Sequence, residues 1–373
     1  MQILQTNKAY YPKVGGIETT ITTLSEGLVR DFNLKVDVLT CHHNVKISTR
    51  NEIINGVNVK YLPTYGFLHS LPLSPGYFFS LEKYSGDILH IHEPFPLSDI
   101  SVLFNKKVKK NFKKIIVSWH SDIIRQKWSL VFYGKYILRF LELVDKIIVS
   151  NPALIKNSDF LKTFSEKCEV IPIGINLDWT KSANINSIKN EIPIILSVGR
   201  LVYYKGFEYL IDAMKDIQTA KLIIVGSGPL EKKLKNQIID NNLSERIEII
   251  PELDRDSLNS LFKSCDLFVL PSIRKSETFG IVQIEAMACG KPVVCTEIGT
   301  GTTFINLDGV TGLVVPPENS NALASAINKI LSDDSLRNFL GNNAKQRALS
   351  EFNDNKMVSR VYELYKNLLE NDL

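Results

Sequence analysis
Short apolar runs rich in Ile, Val and Leu alternate along this chain with longer stretches of helical periodicity, and the alternation comes in two series. That order is the signature of strand-helix units wound around parallel sheets. The first series predicts strands at Gln2 to Gln5, Lys35 to Thr40, Val57 to Leu62, Asp87 to Ile91, Lys114 to Trp119, Lys146 to Val149 and Glu169 to Pro172. The second predicts strands at Ile194 to Val198, Lys221 to Val225, Arg246 to Ile250, Leu267 to Leu270, Pro292 to Cys295 and Gly312 to Val315. Between them Asn176 to Asn190 is polar and Asn-rich, without sustained periodicity, and reads as a linker. A chain of 373 residues exceeds what one hydrophobic core usually holds, so two domains are the natural reading. The expected division is 1–178, a linker at 179–192, and 193–355. In the last stretch Met357, Val358, Val361, Leu364, Tyr365 and Leu368 fall at helical spacing and predict a closing amphipathic helix.

Charge excludes little. Lys and Arg number 44 against 40 for Asp and Glu, and a formal +4 is too small to argue for a nucleic-acid partner. The five cysteines form no CxxC pair and are odd in number, against a disulfide framework or a zinc ribbon and in keeping with a reducing, cytoplasmic setting. The opening Met1 to Asn7 has no basic and apolar leader pattern, and no run of about 18 apolar residues follows. The chain reads as neither secreted nor membrane-spanning.

Two doubly wound α/β domains place ligands at the carboxyl ends of their strands, here in a cleft faced by both sheets. Function is therefore expected in four strand-to-helix loops: Asn7 to Glu18, Trp119 to Gln126, Gly199 to Gly206, and Ser272 to Glu285. The last follows an apolar strand, carries Phe279-Gly280, and leads into a helix. Free amides and a positive dipole end suit a diphosphate there. Glu277 precedes that helix and Glu285 lies within it; carboxylates accept charge-assisted bonds from paired sugar hydroxyls. The plainer reading is a dipole partner and a solvated helix residue. Arg200 and Lys205 also follow a strand, and two cations over a diphosphate would stabilise charge on a departing nucleotide. Gly15-Gly16 permits close backbone approach to a phosphate or sugar, or makes an ordinary turn. No GxGxxG follows the first strand, which disfavours a nicotinamide dehydrogenase.

Other features divide between chemistry and scaffold. His90 and His92 lie two apart on one strand face beside Glu93, a start for a metal site but short of ligands. Asp254-Arg255-Asp256 fits a DxD pattern, which helix capping explains more simply. Lys106, Lys107, Lys109, Lys110, Lys113 and Lys114, interleaved with Val108 and Phe112, face either anionic lipid or water. The aromatic stretch Trp128 to Phe140 is a lipid-acceptor groove or a core helix.

Glu277, Phe279-Gly280, Glu285-Ala286-Met287-Ala288 and Gly290-Lys291-Pro292-Val293-Val294 together resemble glycosyltransferase family 4, the retaining enzymes of the GT-B fold. The resemblance continues at Ser197 to Gly206, Val225 to Pro229 and Gly309 to Val314, and more loosely at Gly15-Gly16 and the closing helix. It implies two Rossmann-like domains facing a deep cleft, with 356–373 returning to the first. It further implies that Glu285 binds the nucleotide ribose and Glu277 the transferred sugar, with Thr278 beside it and backbone amides of Phe279, Gly280 and Ile281 turned to the donor. Glu252 and Leu253 would seat the base, Gly15 and Gly16 would border the diphosphate, and His120 would contact the donor sugar. The run from Asp122 to Gln126 is more loosely similar to bacterial mannosyl and rhamnosyl transferases of surface polysaccharides, making Asp122 and Arg125 acceptor candidates. The expected function is metal-independent transfer of a hexose, GDP-mannose being the best donor guess, to a polyprenyl-diphosphate-linked saccharide. A UDP-hexose or UDP-N-acetylhexosamine donor, a sugar-nucleotide epimerase of the same fold, and a noncatalytic nucleotide-binding protein are the alternatives.

Overall fold
The computed structural model describes residues 1–13, 15–68, 71–121, 130–180 and 191–370. The chain divides into two compact units, Met1–Ile175 with Asp354–Leu373, and Asn176–Asn353. The strands of the first unit are β1 (Gln2–Asn7), β2 (Lys35–Cys41), β3 (Arg50–Ile54), β4 (Val57–Leu62), β5 (Phe67–Leu68), β6 (Leu71–Pro72), β7 (Gly86–Glu93), β8 (Phe112–Trp119), β9 (Lys146–Val149) and β10 (Cys168–Val170). Among the described residues they form an eight-stranded sheet in the order β10-β9-β8-β7-β1-β2-β4-β3, with β5 and β6 apart as a small hairpin. The sheet is parallel except at its β3 edge. Helices cover both faces, so the central strands are buried on both sides and read as continuous apolar runs; Ile3, Leu4, Ile88, Leu89, Ile116 and Val117 are all at most 2% exposed.

Every strand predicted for this unit is present; β3 and the small β5–β6 hairpin are additions, and β3 is the one that joins the main sheet. Its sequence, Arg-Asn-Glu-Ile-Ile, carries no apolar run, because an edge strand exposes most of its side chains. The signal lies in the turn that follows: Asn55 and Gly56 both have positive φ, the dipeptide of a two-residue hairpin.

The closing helix, Asp354–Glu370, completes this unit and not the other. Met357, Val358, Val361, Leu364 and Tyr365 join one core with Ile21, Leu24 and Leu28 of the first helix, Gly16–Phe32. Phe32 and Tyr362 stack with centroids 3.9 Å apart. Gly27 permits this closeness, since a Cβ there would lie 2.5 Å from Val358 Cγ2.

The lysine-rich segment forms a short helix, Lys106–Asn111, running into β8. Val108 and Phe112 point into the core at 0% and 5% exposure, so the apolar residues between the lysines are not turned outward. Lys107, Lys113 and Lys114 meet Glu82, Asp87 and Asp145 at 3.8, 2.8 and 3.6 Å. Of the aromatic stretch, Trp128 lies outside the described residues, while Ile137 and Phe140 are fully buried, as the core-helix reading requires.

The second unit contains β11 (Ile194–Val198), β12 (Lys221–Val225), β13 (Ile247–Ile250), β14 (Leu267–Leu270), β15 (Val293–Thr296) and β16 (Gly312–Val315). Among the described residues they form one parallel sheet in the order β13-β12-β11-β14-β15-β16. The predicted strands are all there; of the predicted linker at 179–192, residues 181–190 lie outside the described residues. In each unit the winding reverses beside the first strand, between β1 and β7 in one and between β11 and β14 in the other. Open α/β sheets bind ligands outside that switch point. All five cysteines are unpaired. Among the described residues no helix is long and apolar enough to cross a membrane.

Two stability predictions follow from the first unit. Gly27→Leu would drive a side chain into Val358, and overpacking of this kind costs about 1–3 kcal/mol; at about 2–4 °C per kcal/mol the melting temperature should fall measurably. Adding Val358→Ala should return part of the loss, whereas an unchanged single variant would show that the two helices are not packed this way. The second concerns Glu93 and Asp99, both buried, with Glu93 Oε1 and both Asp99 oxygens lacking hydrogen-bond partners among the described residues. Burial raises both carboxyl pKa values, and the Glu93 charge raises that of Asp99 further. A raised folded-state pKa gives stability that is complete below the unfolded value, about 4, and lost as pH rises through the folded one. Asp99→Asn cannot ionise and should flatten the decline of melting temperature above about pH 4; parallel curves for the two proteins would rule the carboxyl pair out as its cause.

Candidate active site
At the switch point of the second sheet, the loop after β11 crosses the loop after β14. Ile273 N donates to Tyr204 O at 2.8 Å, tying the two together. Gly206 sits at φ +68°, and a Cβ on it would run into Pro271 O, so the crossing requires glycine there. The result sets Lys205 beside Glu277: Nζ and Oε2 are 2.5 Å apart, with side chains only 11% and 12% exposed. Ser272 Oγ donates to the same Glu277 oxygen at 3.1 Å. Arg200, on the same loop as Lys205, is exposed and has no ion-pair partner among the described residues. One cation is therefore committed to a carboxylate and a second is open to an anion.

Gly280, at φ +82°, ends the β14 loop and caps the helix Ile281–Ala288. The first amides of a helix have no partner within it. Phe279 is 3% exposed and packs edge-on against Phe352, so its ring anchors the turn while the backbone forms the helix entrance. Thr278 O accepts from Gly301 N at 2.9 Å. Glu285, one turn into this helix, is not the solvated residue of the plainer reading: it is 6% exposed and its Oε1 meets Arg255 Nη1 at 2.6 Å. Burial raises its pKa, against the lowering effect of Arg255.

Arg255 belongs to the Asp-Arg-Asp segment. Asp254 caps the helix Arg255–Ser264, its Oδ1 accepting from Ser257 N at 2.9 Å, as the capping reading has it. Arg255 also lies over the Trp179 ring, 5.4 Å from its centroid. The sequence reading did not single out Arg255 as a partner of Glu285; thirty positions separate them, and only the packing of two helices brings them together. Glu252 is exposed and Leu253 half-buried on the loop after β13, where Glu252 N donates to Ser227 Oγ at 3.4 Å.

In the first unit, Gly15 is the extended cap of the helix Gly16–Phe32. The space beside it holds the Glu18 carboxylate, which pairs with Lys13 at 3.9 Å. Gly16 is exposed at the helix start. His120 follows β8, with its Nε2 3.1 Å from His92 Nδ1. His92 reaches Gln5 and His90 reaches Tyr365 and Ser118. The ring nitrogens of His90 and His92 are thus engaged with protein, and among the described residues no group of three or more His, Cys, Asp or Glu is arranged to hold a metal ion. Burial pushes the His120 pKa down to about 4 and that of His90 to about 3, leaving both neutral near pH 7. Asp122 and Arg125 lie outside the described residues. Gln5 and Ser272 were not predicted as site residues, and His92 was read only as half of a possible metal site; Ser272 lies just past β14 and His92 near the end of β7, while Gln5 lies within β1 and carried no such signal.

Comparison with known proteins places these features. Residues 14–179 match the family described as Glycosyltransferase Family 4, and residues 179–347 match Glycosyl transferases group 1. The O-antigen chain mannosyltransferase C of Escherichia coli is 32% identical over 387 residues, covering 99% of both chains. The D-rhamnosyltransferase WbpZ of Pseudomonas aeruginosa is 32% identical over 357 residues, covering 93% of this chain and 91% of its own. Among solved structures, a sucrose-phosphate synthase from Thermosynechococcus elongatus superimposes with a TM-score of 0.78 at 24% identity, covering 100% of each chain. The fold is therefore that of the GT-B glycosyltransferases. Two such relatives over nearly the full length make the conclusion direct: the chain is a glycosyltransferase and belongs to glycosyltransferase family 4.

Proposed function
We propose that this enzyme transfers a hexose from a nucleotide-diphosphate sugar, with GDP-mannose as first choice, to a lipid-linked saccharide during assembly of a bacterial surface polysaccharide such as an O-antigen. The observation that carries the reading is the buried Lys205–Glu277 pair at the switch point of the second sheet. A buried pair of this kind holds a cation and an acceptor ready in one place, which a sugar diphosphate needs at once: charge for its phosphates and an acceptor for its hydroxyls. The names of the mannosyl and rhamnosyl relatives support the donor class.

In this reading the diphosphate takes Lys205 and Arg200 as its cations, Glu277 accepts from hydroxyls of the transferred sugar, and Glu285 accepts from the ribose. Thr278 and the amides of Phe279, Gly280 and Ile281 complete the donor contacts, Glu252 and Leu253 take the base, and Gly15, Gly16 and His120 serve from the first unit. The two cations stabilise charge on the departing nucleotide, without metal. No protein carboxylate or hydroxyl is cast as nucleophile. The leaving diphosphate helps deprotonate the incoming hydroxyl on the same face, so the anomeric configuration is retained. Asp122 and Arg125 are kept as acceptor candidates. Action at the cytoplasmic face of the inner membrane rests on lysine electrostatics alone, since Val108 and Phe112 belong to the core.

Four outcomes are expected. Arg200→Ala should cut turnover by about 10² to 10³, the effect typical of deleting one transition-state donor; turnover near that of the wild type would refute the role. A panel of nucleotide sugars incubated with polyprenyl-diphosphate saccharides in EDTA, read by mass spectrometry, should give product with GDP-mannose, and dependence on added divalent metal would overturn the metal-free scheme. NMR of that product should show the donor's anomeric configuration. With donor alone no epimer should form, whereas its appearance would identify an epimerase.

A further inference from the structure
His90, His92 and His120 form a stack in the first unit: ring centroids of His90 and His92 are 4.3 Å apart, and those of His92 and His120 are 5.3 Å apart with planes 13° from parallel. Two lie on one face of β7 and the third follows the neighbouring β8, so the sheet register itself builds the stack. His90 and His92 are 0% exposed, while His120 is half-buried. Burial lowers the pKa of all three, so each carries one N-H and one lone pair near neutral pH.

That constraint lets the protons be placed. His92 Nε2 lies 2.8 Å from Gln5 Oε1, an oxygen that only accepts, so Nε2 holds the His92 proton. His92 Nδ1 then has a lone pair and accepts from His120 Nε2 at 3.1 Å. His120 Nδ1 is left bare, without a hydrogen-bond partner among the described residues. His90 stands outside this chain of bonds, because both of its partners, Tyr365 and Ser118, are hydroxyls that can act either way. It supports the ring of His92 from behind.

We propose that Gln5 and His92 are positioning residues that fix the tautomer of His120, so that Nδ1 is presented as a hydrogen-bond acceptor to a hydroxyl of the transferred sugar. The inference rests on the reading of His120 as a donor-sugar contact, and it adds why two fully buried polar side chains stand behind it. A Gln5 amide turned the other way would reverse every bond and make Nδ1 a donor, so the assignment has a definite opposite.

The test is two-bond ¹⁵N-¹H NMR of the full chain labelled at histidine, together with release of GDP from GDP-mannose as the mannosyl group passes to an added polyprenyl-diphosphate saccharide. In the wild type His120 should be protonated at Nε2 and bare at Nδ1. Gln5→Leu should convert it to a mixture of tautomers and lower kcat about tenfold, the loss of about one net hydrogen bond, with KM for GDP-mannose little changed. In a His120→Ala background Gln5→Leu should have less than about a twofold further effect, since coupled residues are non-additive. His92→Phe keeps the stack and removes the relay; it should reproduce these changes if Gln5→Leu folds poorly. Protonation of His120 at Nδ1 in the wild type, a tautomer unmoved by Gln5→Leu and His92→Phe, or an equal slowing with and without His120 would each overturn the relay. If the tautomer responds as expected but His120→Ala releases GDP at the wild-type rate, the relay stands and the donor-sugar role of His120 falls.

Discussion
The chemistry-bearing part of the second unit depends on one buried charge neutralising another. Glu277 is almost entirely withdrawn from water, and an unpaired carboxylate in such a place would cost several kcal/mol. Lys205 removes that cost, and it reaches Glu277 only because the loops after β11 and β14 cross at Gly206. The fold thus assembles a charged pair before any ligand arrives. For the proposed donor this means exchange in place of creation: phosphate oxygens take over the ammonium group as sugar hydroxyls take over the carboxylate, and the number of buried charges without a partner does not rise.

The Glu285–Arg255 pair repeats the theme with a difference in mobility. Glu285 is held inside the helix Ile281–Ala288, but the Arg255 side chain is 52% exposed. A half-exposed guanidinium can turn into solvent at little cost, while Lys205, at 11%, has no such freedom. A ribose entering beside Glu285 would therefore displace a partner that is easily released. The Trp179 ring already lies beneath Arg255, and that contact can remain when the carboxylate is taken over.

Much of the architecture was legible in the chain because parallel strands buried on both faces leave unmistakable apolar runs; Ile88 to Ile91 and Leu267 to Leu270 needed no three-dimensional information. The edge strand β3 escaped because its residues obey a different rule, and its one sign was the Asn55-Gly56 turn. At the site, Lys205 and Glu277 could be named because they sit in strand-to-helix loops, Glu285 because it lies in the helix that follows one, and all three because they fall in motifs shared with a family. Their partners could be named less well. Ser272 donates to Glu277 from five positions away, a local relation that no periodicity marks, and Arg255 meets Glu285 only through helix packing. His92 was visible as half of a histidine pair, which suggested a metal; its actual partners, Gln5 and His120, are contributed by the strands on either side of β7, and strand order is not written in the local sequence.

The first unit is discontinuous. Asp354 N donates to Ile175 O at 3.1 Å, so the point where the chain leaves this unit and the point where it returns are stitched side by side. The returning helix supplies Met357, Val358, Val361, Leu364 and Tyr365 to a core begun by Ile3 and Ile21. On a ribosome, Met1–Ile175 must wait for Asp354–Glu370 to complete its core, while Asn176 to Asn353 emerge with everything their own sheet requires. A nascent chain in which Asp354–Glu370 has yet to emerge leaves Ile21, Leu24 and Leu28 of the first helix without the apolar residues that cover them.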